Sequence, residues 1–191
     1  MSAGLIAPHG GTLVDRFVSP SQAQALRDEA ENLPAINLSP KQACDLEMIA
    51  IGAFSPLTGF IGRADFESIC TDMRLADGTI WPIPITLAVN EETKSKLSEG
   101  GRAALYHHDG TLLAVMDVQE IYPHDKKLEI PNVFRTEDEA HPGVKAVMEE
   151  GDWLVAGPIH VLTVTPDREP GEQFTEFRLP PAVTRAEFEK R

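Results

Sequence analysis

The chain has 191 residues, of which 42% are hydrophobic and 25% charged. That balance fits an ordinary globular domain and excludes a disordered, collagenous or disulfide-scaffold chain. Lys plus Arg number 17 against 30 Asp plus Glu, a formal net charge of −13, which disfavours non-specific binding to nucleic acid or anionic membrane.

The chain opens on a glycine-rich loop, Pro8-His9-Gly10-Gly11, followed by a short extended piece, Thr12–Val14. Ser19-Pro20-Ser21-Gln22 predicts a helix start: Ser19 as N-cap, Pro20 at the first helical position and Gln22 closing a capping box. This helix is expected to reach Asn32 and to end before Pro34. Ser39-Pro40-Lys41-Gln42 repeats the device, and Ala43, Leu46, Ile49 and Ala50 then fall on one helical face. Gly52 to Phe60 reads as a tight packed turn, with a helix from Ala64 to Met73 after it. Asp77-Gly78 marks a turn. Trp81 to Val89 is extended, because prolines at 82 and 84 exclude a helix and suit an edge strand.

Asn90 caps a short polar helix, Glu91–Leu97. Strands are expected at Arg102–Tyr106 and, as one piece with apolar residues on both faces, Leu112–Ile121, the latter central in a sheet. Asp125–Thr136 reads as irregular. A short helix, Val144–Glu149, two strands, Trp153–Ala156 and Ile159–Val164, a loop, Thr165–Gly171, and the first turns of a helix at Ala186–Arg191 complete the pattern. No repeat, heptad or low-complexity tract appears. Helices followed by a run of short strands predict an α+β fold with a small barrel.

Chemical signatures are sparse. The P-loop and Gly-x-Gly-x-x-Gly sequences are missing, as is a Gly-x-Ser-x-Gly elbow. None of the histidines (His9, His107, His108, His124, His141 and His160) pairs with another at His-x-x-x-His spacing, so no metal site is expected. His107 and His108, if on a strand, point to opposite faces, and the segment from His107 to Gly110 reads as the polar end of a hairpin; a small catalytic site at His107, His108 and Asp109 is the enzyme alternative. Ser55 is expected to bond its own turn backbone rather than act as a nucleophile. Asp45 and Glu47 flank Leu46 on the second helix; a ligand, an Arg partner or solvent are all open for Asp45. Arg63, Arg74, Arg102, Arg135, Arg168, Arg178 and Arg185 are scattered, with no basic-aromatic track for nucleic acid. Cys44 and Cys70 form no metal motif or disulfide framework and are expected as buried thiols in a reducing compartment. No secretory signal or membrane span is read, and a cytoplasmic location is expected.

Five ordered blocks resemble the N-terminal part of the ATP sulfurylase (sulfate adenylyltransferase) family. They are Ala7 to Gly11 with Leu13; Asp45 to Ile49 with Gly52 to Phe60; Met73 to Gly78 leading to Trp81–Leu87; Thr136 to Val144; and Ala156 to Ile159. The resemblance covers essentially the whole chain. It implies a PUA-like β-barrel with accessory helices over residues 1–180, and at 181–191 a linker or helix start leading to a catalytic domain. It implies a parent activity making adenosine 5′-phosphosulfate and pyrophosphate from ATP and sulfate, with Mg-ATP as substrate. The family's Gln-x-Arg-Asn-Pro-x-His-x-x-His motif does not occur between Met1 and Arg191, so no catalytic or substrate-binding residue is carried over, no cofactor is assigned and the chain is expected to be an inactive fragment. Its expected partner is the catalytic domain of the same polypeptide, with homo-oligomerisation open and no nucleic-acid or membrane partner. Phe54, Ser55, Pro56, Leu57, Gly59 and Phe60 are the candidate domain-interface residues, against the plainer reading of Phe54 and Phe60 as core. The alternative function is a free-standing PUA-like module for RNA or protein.

Overall fold

The computed structural model describes residues 4–164 and 177–190; the loop expected at Thr165–Gly171, with Arg168, lies outside them. The two Ser-Pro-x-Gln sequences start helices α1 (Pro20–Ala30) and α2 (Pro40–Ala50), flanking a three-residue strand, β1 (Ala35–Asn37). At α2 the capping box closes both ways: Ser39 Oγ accepts from Gln42 N–H at 3.2 Å, and Gln42 Oε1 accepts from Ser39 N–H at 2.9 Å. At α1 the box is tightened by Gln22 Oε1, which accepts from both the Ser19 N–H and the Ser19 hydroxyl.

The remaining elements are β2 (Gly59–Phe60), α3 (Arg63–Asp72), β3 (Ala88–Val89), α4 (Glu91–Lys94), β4 (Arg102–Tyr106), β5 (Leu112–Asp117), β6 (Glu120–Pro123), α5 (Lys126–Phe134), α6 (Pro142–Glu149), β7 (Trp153–Val161) and α7 (Pro181–Glu189). The strands make one curled sheet, a half-barrel, in the order β1-β4-β5-β7-β2, with β3 and β6 also pairing with β7. β1 joins β4 in parallel; β4–β5 and β5–β7 are antiparallel. β5 is therefore central, as its two apolar faces require.

Side-chain alternation divides the sheet between two cores. Ala103, Leu105, Ala114 and Met116 face the main core, with Leu46 and Ile49 of α2 and Phe66 and Ile69 of α3. Ala104 and Val115 face the other way and pack under Leu26 and Ala30 of α1. Burying an aliphatic or aromatic side chain of this size contributes about 1.5–3 kcal/mol.

Four expectations need correction. Leu112–Ile121 is two strands, because the Val118 N–H turns aside to the Gly101 carbonyl and Gly100 N–H bonds back to Val118. Trp153–Ala156 and Ile159–Val164 are one strand ending at Val161, bent at Gly157 (φ 144°); its two halves serve β6 and β5. Asp125–Thr136 is not irregular: the Asp125 carboxylate accepts the Leu128 N–H and caps α5, which runs through Pro131 while the Asn132 side-chain amide donates to the Leu128 carbonyl. Trp81 to Leu87 is extended but forms no strand of its own: the Trp81 N–H donates to the Met73 carbonyl, the Ile85 and Leu87 carbonyls accept from the Ile61 and Val155 N–H groups, and Ala88–Val89 joins the sheet.

Candidate functional site

The segment from Gly52 to Phe60 folds back on itself between α2 and β2. The Ser55 hydroxyl donates to the Gly52 carbonyl at 2.7 Å and accepts the Val14 N–H at 2.9 Å. It is committed to backbone and buried, as expected for a turn residue. Leu57, Gly59 and Phe60 are buried as well, whereas Phe54 and Pro56 are partly exposed. Gly59 crosses β7 so closely that an added Cβ would overlap the Gly157 carbonyl. Pro56 opens on a cavity of about 460 Å3 that also meets Asp65, Asp77 and Glu120. Those three carboxylates leave it without anion-binding character.

Phe54 lies on the other side. Its ring meets the Trp81 ring edge-on at 5.9 Å, and His9 tilts over the same indole at 6.0 Å. His9 Nε2 bonds the Ile80 carbonyl and Trp81 Nε1–H donates to the Ile83 carbonyl. Together they hold residues 80–85 as an extended strap beside an apolar groove of about 590 Å3. Asp45 lies in the groove wall. Among the described residues its ion-pair partner is a lysine: Lys41 Nζ is 3.9 Å away and also pairs with Glu150 at 3.3 Å. Burial pushes the Asp45 carboxyl above the usual range, Lys41 opposes this and Glu150 adds to it. Sequence reasoning missed this groove. The alternate prolines at 82 and 84 were its visible signal, since they remove two ladder donors from the strap, and Ile80 and Ile83 are left exposed.

Several ionisable groups elsewhere are occupied by the fold. Arg102 bridges Glu29 and Asp117, Arg63 pairs with Glu120, and Arg16, Arg74 and Arg185 donate to carbonyls. His160 bonds Asp117. Buried His124 bonds the Gly151 carbonyl through Nδ1 and Glu129 through Nε2. His141 caps α6, its Nδ1 accepting from Gly143 N–H.

His107 and His108 do not point to opposite faces. β4 ends at Tyr106, and in the turn beyond it the two rings approach to 4.0 Å. Asp109 there is held down to about 2, chiefly by the Thr111 N–H and only secondarily by His107. That is the chemistry of a turn. Cys70 is buried, its thiol pushed up to about 12 by desolvation and by Glu129 and Asp125, far from nucleophilic. Cys44, expected to be buried, is exposed on the outer face of α2. Among the described residues no group of three His, Cys, Asp or Glu is placed to hold a metal ion, and no helix is long and apolar enough to cross a membrane.

A family model described as a PUA-like domain matches residues 6–164. The chain is 44% identical over 191 residues to a sulfate adenylyltransferase of Synechococcus sp. (strain JA-3-3Ab), covering 100% of this chain and 48% of that protein. It is 45% identical over 187 residues to the sulfate adenylyltransferase of Symbiobacterium thermophilum, covering 97% of this chain and 46% of that one. The chain thus spans about half the length of the curated relatives it matches. Among solved structures, a hexameric APS kinase from Thiobacillus denitrificans superposes with a TM-score of 0.73 at 32% identity, over 97% of this chain and 32% of that chain.

Proposed function

The chain belongs to the PUA-like domain family, and from that premise we propose that it is the scaffold domain of a sulfate adenylyltransferase, silent without the polypeptide's other half. The observation that carries this reading is the 44% identity that spans the whole chain and stops at 48% of the relative. The wider protein would join ATP and sulfate into adenosine 5′-phosphosulfate and release pyrophosphate. In that reaction a sulfate oxygen attacks the α-phosphoryl group, and the gathered negative charge needs convergent cations.

Five of this chain's arginines support a structural role instead. Arg16, Arg63, Arg74, Arg102 and Arg185 are spread over the fold and each is engaged by a carboxylate or a carbonyl. No site for magnesium-bound ATP or sulfate is proposed on this chain. The catalytic domain of the same polypeptide is the proposed partner, and the location is proposed as cytoplasmic. Within the Gly52 to Phe60 turn, contact with that partner falls to Phe54 and Pro56, the partly exposed residues. The hexameric state named for the structural neighbour supports a further role in joining subunits, which light scattering on the longer protein reads directly.

The experiment is ATP formation from adenosine 5′-phosphosulfate and pyrophosphate with this purified chain, shown to be folded by a cooperative thermal transition. The expected result is no ATP above background. Steady turnover would overturn the scaffold reading, and retention of RNA at micromolar protein in low salt would favour the binding-module alternative.

A further inference from the structure

The groove beside the strap at residues 80–85 has walls that ask for two things at once. Its floor is Trp81 and Ile85, 9% and 7% exposed, and its rim carries Ile80 and Ile83, 59% and 57% exposed. An apolar segment laid there would cover both isoleucines. It would also finish the desolvation of Asp45, whose side chain is already only 13% exposed.

Asp45 is poorly compensated. Its Oδ2 is buried with no hydrogen-bond partner among the described residues, and so is Glu150 Oε2. Lys41 is shared between the two carboxylates, at 3.9 Å from one and 3.3 Å from the other, and is itself half exposed. Two carboxylates thus share one solvated lysine as their ion-pair partner. Sealing the groove with a purely apolar segment would complete the burial of an under-paired carboxylate, which is costly, while a cation brought by the same segment would offset that cost.

We propose that this groove docks an apolar segment carrying one Lys or Arg, the basic side chain pairing with Asp45, and that the segment belongs to the half of the polypeptide which the longer relatives have and this chain does not span. This rests on the scaffold reading above. A second copy of this chain is the poorer occupant, since two bodies of net charge −13 repel before they meet.

The test is a chimera in which this chain replaces the matching half of the Synechococcus relative. Hydroxyl-radical footprinting reads oxidation of Ile80 and Ile83 in the chimera and in this chain alone, with exposed Met148 as the internal standard. The expected result is at least a tenfold protection of both isoleucines in the chimera, lowered severalfold by Asp45→Asn and abolished by Ile83→Glu. Unprotected isoleucines in a chimera that makes ATP would overturn the groove assignment and leave the scaffold reading standing. Unprotected isoleucines in a folded but inactive chimera would overturn both. Protection indifferent to Asp45→Asn would remove the basic side chain from the proposal. Protection that grows with concentration in this chain alone would assign the groove to a second copy instead.

Discussion

A sharp physical constraint in this fold is the crossing at Gly157, and Gly157→Ala tests it. The residue sits in the middle of β7 at φ 144°, a backbone conformation that costs an L-residue about 1–3 kcal/mol. An added Cβ would overlap the Asp117 carbonyl oxygen and stand 3.1 Å from the Gln119 nitrogen. Neither neighbour is the end of a flexible side chain. Asp117 terminates β5 and is tied to Arg102 and His160, while the Gln119 N–H donates to the Ala156 carbonyl. Forcing that carbonyl aside adds an overpacking cost of about 1–3 kcal/mol. The sum is about 4 kcal/mol, and at about 2–4 °C per kcal/mol for a domain of this size the melting temperature falls by about 12 °C. Gly110→Ala is the matched control: φ is 88°, yet nothing lies within 4 Å of the added atom, so only about 1–2 kcal/mol of backbone strain remains. Calorimetry on both variants separates strain from overlap. Equal losses at the two glycines would refute the argument that the strand crossing is what requires Gly157.

Phe66→Ala empties a site 1% exposed against Tyr122 and His124 and should destabilise by about 3–5 kcal/mol in denaturant titration. Phe60→Ala, at 2% exposure, should lower the stability of this chain on its own by a similar amount, about 3–5 kcal/mol; a loss seen only in the longer chimera would instead place Phe60 at an interface. The Asp45 carboxyl is raised by burial, so the folded chain holds that proton to higher pH than the unfolded chain. Stability from this group therefore falls as pH rises from about 4 through the raised folded value. Asp45→Asn should flatten that part of the pH–stability curve and raise stability at neutral pH, and an unchanged curve would contradict it. Asp109 carries the opposite sign: held near 2 by the Thr111 N–H, it supports the turn above the ordinary carboxylate range and releases it as pH falls toward 2, which a carboxyl-resonance titration reads directly.

Local chemistry was legible in the sequence, and long-range chemistry was not. Ser39, Pro40 and Gln42 name the start of α2 by themselves, because a capping box is satisfied within four residues. The same holds for the bonds that Ser55 makes inside its own turn. β1 went unseen, since three residues become a strand only by lying parallel to β4. The break between β5 and β6 is invisible in an apolar run that continues through Val118; what divides it is the Gly100–Gly101 turn and the bend at Gly157, both distant in sequence. Gly157-Pro158 looked like a gap between two strands because the pair is poor strand material, yet β2 and Asp117 need the backbone close at that point. α5 was hidden by its internal proline and mixed charge. The state of Asp45 depends first on its burial, then on Lys41 one turn back and on Glu150 from the end of α6; the burial and Glu150 are long-range, so no local pattern predicts it. The five blocks matching sulfate adenylyltransferases carried the family where composition offered only an acidic α+β domain.

The central claim is that this fold scaffolds chemistry performed elsewhere on a longer polypeptide. The most direct measurement is turnover by the folded chimera with the second half of the Synechococcus relative, assayed beside this chain alone for ATP formed from adenosine 5′-phosphosulfate and pyrophosphate. The account predicts activity in the chimera and none in the isolated chain. Turnover by the isolated chain, or a well-folded chimera that makes no ATP, would contradict it.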